Sequence, residues 1–266
     1  MATFFGEVMA PVSRAFWNGA EDIDDDDEGD ISEPRGPVYK FKEEKPQVEN
    51  SYSLMIFATD QFCSDYSRAF LMIGEPELIT EIEEVDEKSS DEQIKRPQTP
   101  VASLFKIKND VLLLACKRNI PLEYANDLLL MVAPWLDKSK DAAVLASKPV
   151  AEFITSNKEL EENAFVRVLK TKSYTENIPC KQLEVPNAVS GFPAAMMTWR
   201  QIHEQPCVLS VYYYANSLPL INTIDVAPLR KHLQAFQWYQ HIENSKTDLT
   251  SIPLYNHVFE NSNMYL

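Results

Sequence analysis

Residues 52–59, YSLMIFAT, form a short and nearly continuous apolar run that Asp60 closes. Such a run is typical of a strand whose two faces are both buried. After it, Phe62, Tyr66 and Phe70 recur at helical spacing, and Asp60 precedes them where it can cap the first turn of a helix. A buried strand that leads straight into an amphipathic helix indicates an α/β fold.

The rest of the chain continues this alternation of strands and helices. Residues 101–107 and 110–117 are apolar runs joined by Lys108-Asn109, which predicts a β-hairpin. Further strands are predicted at 142–147, 165–171 and 207–214, and further helices at 121–136, 190–204 and 225–236. The pattern predicts a three-layer α/β sandwich with a mixed, largely parallel sheet.

The formal net charge of −15 is concentrated in two segments. Residues 21–33 hold nine acidic residues and no basic one, and residues 75–92 hold nine acidic residues and one lysine. The remainder of the chain keeps a net charge of about +2 and has no basic stripe that could bind a phosphate backbone. Nucleic acid is therefore not an expected partner.

Composition also predicts how the chain is divided. Residues 21–50 have too little apolar area to offset their ordering entropy, and residues 1–20 form a short tail without a clear partner segment. Residues 1–50 are therefore expected to be a disordered N-terminal tail and acidic linker. A single α/β domain is expected over residues 51–260, with an acidic mobile insertion at about 75–100. Residues 261–266 are expected to be a flexible C-terminal tail.

Secretion and membrane insertion are not predicted. The first residues include Glu7 and lack a sustained apolar core, so no signal peptide is expected. No stretch approaches the about 18 apolar residues typical of a membrane span. Cys116 and Cys207 lie in apolar runs, and no CxxC pair occurs, which predicts reduced, buried thiols. We expect a cytoplasmic protein, with the nucleus and the surface of the endoplasmic reticulum as further locations.

Phosphate-binding and metal-binding sites are not predicted either. Four of the six glycines lie in the first 36 residues, so no glycine-rich phosphate loop can be assembled. The histidines lack the spacing of a zinc site; they are His203, His232, His241 and His257. We expect no cofactor and no bound metal.

Two residues have positions that catalytic groups can occupy, and both have a simpler interpretation. Ser190 has Ala188 where a nucleophile elbow needs a glycine. Asp60 ends the first predicted strand, where α/β folds often carry functional groups, but no second group stands at a convincing spacing. Helix capping is favoured for both residues, and the chain is not expected to be an enzyme.

The chain ends on Met264, Tyr265 and Leu266, which is unusual because chain ends are mostly polar. Either this tail folds back on its own domain, or it enters a pocket of a partner. A pocket can hold the terminal carboxylate with a lysine and backbone N–H groups, and a tyrosine is a common interface anchor. Phe4 and Phe5 leave the same two alternatives open for the N-terminal tail.

Three stretches resemble the proteasome assembly chaperone 1 family: MATFFGEV at residues 1–8, LEVPNAVSGFPAAMM at 183–197 and NMYL at 263–266. The order between them is similar as well, with an acidic N-terminal region, a first strand near residue 52 and FVRVLKT at 165–171. The resemblance implies an α/β scaffold like that of nucleoside phosphorylases, without the active site.

The resemblance also implies a function. Family members pair with proteasome assembly chaperone 2, and the heterodimer promotes assembly of the 20S proteasome α-subunit ring and prevents off-pathway association of α subunits. Members can end in a hydrophobic–tyrosine–any motif that docks between neighbouring α subunits. Met264, Tyr265 and Leu266 fill its three positions here. Two alternatives stay open: an enzyme on a nucleoside-phosphorylase-like scaffold, and a regulator of the mature proteasome.

Overall fold

A computed structural model describes the fold over residues 38–43, 48, 50–72, 75–85, 100–108, 110–155, 164–215, 223–242 and 251–253. In these residues the strands are β1 (Val38–Phe41), β2 (Tyr52–Ala58), β3 (Glu77–Val85), β4 (Ala102–Lys108), β5 (Val111–Cys116), β6 (Ser139–Pro149), β7 (Phe165–Lys170), β8 (Cys207–Tyr214), β9 (Thr223–Asp225) and β10 (Ser251–Pro253). The helices are α1 (Gln61–Phe70), α2 (Ala125–Asp137), α3 (Gly191–Ile202), α4 (Ala227–Leu233) and α5 (Gln237–Ile242).

The first eight strands form one sheet in the order β1-β3-β4-β5-β2-β6-β8-β7, and β9 pairs with β10. The central strands β5, β2, β6 and β8 run parallel to one another, while the outer pairs are antiparallel. The predicted mixed sheet is confirmed, but parallel pairs do not predominate, since they are three of seven. Short connections such as the β4–β5 hairpin allow only antiparallel pairing.

Strand β2, which contains the apolar run YSLMIFA, lies at the centre of the sheet and is buried on both faces. Phe57 belongs to the core under α2 and α3, where the centroid of its ring lies 6.3 Å from that of Phe192. Ile56 belongs to the opposite core, together with Phe70 of α1 and Leu229 of α4. Helices therefore cover both faces of the sheet, and the three-layer sandwich is confirmed.

Two strands lie in segments that were predicted to be unstructured. β1 falls within the 1–50 tail and linker, and β3 falls within the 75–100 insertion. The prediction is wrong for these two strands. Residues 1–37 and 86–99 lie outside the described residues, so the proposed division of the chain is otherwise still a prediction.

The physical reason for the error is that charged residues alternate with apolar ones in these strands, a lysine in β1 and glutamates in β3. Tyr39 of β1 and Ile82 of β3 are buried in the core. Phe41 packs edge-on against Trp135 of α2, with the ring centroids 5.9 Å apart. Glu81 faces away from this core and pairs with Lys42 at 2.7 Å. A charge count over the segment hides this period of two residues.

The chain after β7 follows the outer side of that strand. Val168 N–H donates to Lys181 O at 3.1 Å, and Leu183 N–H donates to Val168 O at 3.0 Å. A single parallel bridge joins Val168 to Gln182. This connection leads into the loop 183–190 and then into α3. No helix in the described part of the chain is long and apolar enough to cross a membrane.

Candidate functional site

The residues predicted to contact a partner, Met264, Tyr265, Leu266, Phe4 and Phe5, lie outside the described residues. Their roles are still predictions. The loop 183–190 is described in full, and its sequence is part of the block that carries the family resemblance. This loop and the side chains that hold it form the candidate site.

An ion pair fixes the loop to the sheet. Arg167 of β7 donates from Nε to Glu184 Oε2 at 2.9 Å and from Nη2 to Oε1 at 3.4 Å. The guanidinium carbon lies 4.5 Å from the ring centroid of Phe165 and 5.3 Å from that of Phe153. A forked ion pair beside two aromatic rings fixes the orientation of both charged groups.

The cation of this pair is buried, and the carboxylate faces solvent. The Arg167 side chain is 8% exposed and that of Glu184 is 43% exposed. Partial burial acts to raise the pKa of Glu184, but hydrogen bonding by Arg167 and by a backbone N–H, together with the charges of Arg167 and Lys181, outweighs it, so the pKa lies below its usual value. The nearby pair of Lys148 and Glu152 has the same orientation, with side chains 28% and 56% exposed.

Asn187 connects the loop to the turn that follows β6. Its Oδ1 accepts from Ile154 N–H at 2.7 Å, and its Nδ2 donates to Ile154 O at 2.8 Å and to Glu184 O at 2.9 Å. One side chain thus satisfies both backbone groups of Ile154 and closes its own loop. The peptide bond between Val185 and Pro186 in this loop is cis.

The braced segments expose two aliphatic side chains. Val185 is 93% exposed and Ile154 is 58% exposed. Glu152 and Glu184 contribute the solvent-facing charges beside them. We call these four residues the Val185 surface. It combines two exposed aliphatic side chains, outward carboxylates and a backbone held by hydrogen bonds.

Asp60 has the structural role that was predicted for it. Its Oδ1 accepts from Cys63 N–H at 2.8 Å as the cap of α1, and its Oδ2 accepts from Ser147 N–H of β6 at 2.7 Å. Burial raises the pKa of this carboxyl, and the two backbone donors oppose that effect. Both oxygens are used to join β2, α1 and β6.

Ser190 is at the N-cap position of α3, as predicted, but its side chain makes no capping hydrogen bond. His232 lies within 3.0 Å of Ser210 Oγ, and burial lowers its pKa to about 4. Among the described residues, no group of three or more histidine, cysteine or acidic side chains could hold a metal ion. Cys116 and Cys207 are buried free thiols, as predicted.

Arg200 is fully buried and was not predicted. It donates to the carbonyl oxygens of Leu136, Ser139, Lys140 and Pro206 at 2.8 to 3.2 Å. These bonds join the end of α2 to the starts of β6 and β8. Burial lowers the pKa of Arg200. An arginine in a helix that is otherwise apolar on its inner side is the sequence signal that could have indicated this role.

The fold and the Val185 surface define a three-layer α/β domain that presents a braced, partly apolar loop. A family model with the short name PAC1, described as Proteasome assembly chaperone 4, matches residues 1–229. Proteasome assembly chaperone 1 of Xenopus tropicalis is 26% identical over 260 residues, which cover 86% of this chain and 87% of that protein. The Danio rerio protein of the same name is 26% identical over 234 residues, covering 80% and 83%. The chain belongs to the proteasome assembly chaperone 1 family.

Solved structures with a similar fold include Pyrococcus furiosus PbaA, described as an archaeal homolog of proteasome-assembly chaperone. The TM-score is 0.48 at 10% identity, over 77% of this chain and 86% of that chain. Pyrococcus furiosus PbaB, described as an archaeal proteasome activator, gives a TM-score of 0.48 at 10% identity, over 78% and 90%. The likeness to a nucleoside-phosphorylase scaffold is still a prediction.

Proposed function

We propose that this chain is a chaperone of proteasome assembly. It acts as a heterodimer with proteasome assembly chaperone 2, promotes formation of the 20S α-subunit ring and prevents off-pathway association of α subunits. The observation that carries the proposal is the family match over residues 1–229, together with relatives named for proteasome assembly that align over most of both chains.

The C-terminal tripeptide is the proposed docking element. Met264 supplies the hydrophobic position, Tyr265 the tyrosine and Leu266 the final residue with its carboxylate. A lysine and backbone N–H groups in a pocket between two α subunits would hold the carboxylate, and the Tyr265 ring would fill the pocket. The family match ends at residue 229, so this role rests on the terminal sequence itself.

Such a tail binds weakly on its own. Burying Met264 and Tyr265 contributes roughly 1.5–3 kcal/mol each, and ordering the tail offsets much of that gain. The expected affinity is roughly millimolar to micromolar. A second contact with the same ring raises it through effective concentration. The sister chaperone supplies one such contact, and this is why a heterodimer and a tail motif suit each other.

The polar groups that an enzyme could use are engaged in holding the fold, which supports a binding role. Asp60 accepts two backbone N–H groups, and Arg200 binds backbone carbonyls. The Nε2 atom of His232 lies 3.0 Å from Ser210 Oγ. All three side chains thus have partners within the fold.

The test is a pull-down of the tagged full chain beside a version that lacks Met264, Tyr265 and Leu266. A matched control replaces Asn261, Ser262 and Asn263 by alanine and keeps the tripeptide. Mass spectrometry should find the sister chaperone with all three baits, and α subunits with the full chain and the control only. If no proteasome subunit accompanies the full chain, the proposed function is wrong. If mature core particles dominate over assembly intermediates, the protein is a regulator of the mature proteasome.

A further inference from the structure

We propose that the two-stranded β9–β10 ribbon is the anchor of the C-terminal docking tail, so that the tether of Met264, Tyr265 and Leu266 starts at Pro253. After α5 the chain returns to the domain as β10, before it continues to the terminal tripeptide. This inference rests on the proposed function, and it assigns a positioning role to a part of the fold outside the eight-stranded sheet.

The first argument is that β10 is held on two sides. It lies beside helix α1, and it pairs with β9. The pairing is antiparallel and joins three pairs of residues: Ser251 with Asp225, Ile252 with Ile224, and Pro253 with Thr223. Backbone pairing fixes both the position and the direction of a strand. The chain after Pro253 therefore leaves the domain from a defined point.

The second argument is that β9 is itself fixed to the large sheet. The Tyr212 hydroxyl of β8 donates a hydrogen bond to Asp225 O, and Asp225 Oδ1 accepts from Ala227 N–H at 2.9 Å. Val226 is fully buried, and Leu229 of α4 is buried in the core that α1 also covers. The ribbon thus has a rigid base, and β10 takes its position from that base.

The third argument is the length of chain that the ribbon removes from the tether. Without β10, the last described residue before the tail is Ile242, the buried end of α5, and the tether is residues 243–266. With β10 in place, the tether is residues 254–266. Flexible chains of these two lengths have r.m.s. spans of about 27 Å and about 20 Å. Effective concentration falls roughly as the −3/2 power of tether length, so the ribbon raises it about 2.5-fold for a pocket within the shorter span.

The experiment uses the full chain as a heterodimer with the sister chaperone. The probe is the 20S core particle, because its outer rings present the pockets between α subunits. Biolayer interferometry measures the dissociation constant, and a version that lacks Met264, Tyr265 and Leu266 gives the part of the affinity that the tail contributes. Circular dichroism and thermal melts check that all variants fold.

One variant opens the ribbon. Ser251→Pro combined with Ile252→Pro removes every N–H donor of β10, because Pro253 already lacks one. We expect this double-proline variant to lose about twofold to threefold in tail-dependent affinity, since its tether is longer. Ser251→Ala combined with Ile252→Val keeps both N–H groups and is the matched control, which should bind as the wild-type chain does.

A second variant locks the ribbon closed. Ile224→Cys combined with Ile252→Cys places two thiols on directly opposed residues of an antiparallel pair, where the separation of the Cα atoms suits a disulfide. The oxidised variant should bind as tightly as the wild-type chain, because β10 is already paired there. As a calibration of tether length, inserting 30 Gly and Ser residues after Pro253 should lower the tail-dependent affinity about sixfold.

The outcomes separate this inference from the proposed function. If removal of Met264, Tyr265 and Leu266 leaves the affinity unchanged, the proposed docking role of the tail fails. If the tail contributes but the double-proline variant binds like the wild-type chain, or the disulfide strengthens binding, the ribbon is not the anchor and the inference alone is overturned. The inference is likewise overturned if the double-proline variant loses the whole tail contribution, because β10 would then contact the ring itself.

Discussion

The two margins of the eight-stranded sheet carry ion pairs of similar composition but different burial. At the β1–β3 margin, Lys42 Nζ lies 2.7 Å from Glu81 Oε2, and the Lys42 side chain is 52% exposed. At the β7 margin, Arg167 is 8% exposed and lies over aromatic rings. Solvent screens the Lys42 ammonium, although its partner Glu81 is only 16% exposed, whereas the Arg167 guanidinium has lost most of its hydration and organises a loop. Both margins have an ion pair, but only the β7 margin has one with a buried cation. The stability of the β7 margin is therefore expected to depend on its ion pair more than that of the β1–β3 margin does.

The largest effect is expected from removing the buried cation. Arg167→Ala should lower the free energy of unfolding by about 2–4 kcal/mol, because it removes the forked ion pair and leaves a cavity beside Phe165. Urea denaturation measures the change. Lys42→Ala is the matched variant at the other margin. Its urea midpoint should lie close to that of the wild-type chain, and added salt should change it little. Equal losses at the two margins would contradict the comparison.

The interior of the domain should lose stability at a higher pH than the ion pairs at the two margins do. Burial lowers the pKa of His232 to about 4, so the unfolded chain takes up a proton at higher pH than the native one does. Stability should therefore fall as the pH drops from about 6.5 to 4, by up to about 3 kcal/mol. Thermal melts across this range measure the loss, and His232→Gln should flatten it.

The carboxylates of Glu81 and Glu184 at the margins should take up protons only at lower pH, because both pKa values are lowered. Hydrogen bonding by Lys42 lowers the pKa of Glu81, and the bonds from Arg167 lower that of Glu184 against the opposing effect of burial. Their stabilisation is present above the unfolded-state pKa and is lost as the pH falls through the lower native value. NMR titration with 0.5 M salt should reduce the shift of Glu81 more than that of Glu184. The reverse order would contradict the comparison.

A smaller effect is expected from releasing the loop without touching its ion pair. Asn187→Ala removes three side-chain hydrogen bonds, two of them to Ile154, and should cost about 1–2 kcal/mol. The amide of Ile154 should exchange with deuterium much faster. Asn187→Asp keeps the oxygen that accepts from Ile154 N–H and loses the two bonds that Asn187 Nδ2 donates. The amide of Ile154 should therefore stay protected from exchange in this variant. Fast exchange in both variants would mean that Asn187 does not hold this turn.

The smallest effect concerns the backbone next to the β7 margin. Glu204 has φ of 53°, in the left-handed region that non-glycine residues rarely adopt. Glu204→Gly should raise the free energy of unfolding by about 0.5–1 kcal/mol. Glu204→Ala separates the backbone effect from the loss of charge, and should not stabilise. A gain in both variants would assign the effect to charge.

The central strands were predictable because they are buried on both faces, and continuous apolar runs such as YSLMIFAT indicate this directly. The β1–β3 margin was not, because β1 and β3 bury one face and carry charges on the other. Asp60 was predictable as a cap from its position before an amphipathic helix. The side chains that brace the Val185 surface were not, since Arg167 and Asn187 meet partners 17 and 33 residues away, respectively. An isolated arginine in an apolar strand and a Pro-Asn pair were the available signals.

The outer strands have a consequence for the tendency of this protein to aggregate. β1 is four residues long, carries Lys40 and is followed directly by Lys42, and the segment around Gln182 occupies part of the open side of β7. Short, lysine-bearing or covered edge strands resist templating by foreign strands. A proteasome assembly chaperone with such edges is thereby protected from joining aggregates of other chains. Its own sheet offers aggregating strands little backbone to extend.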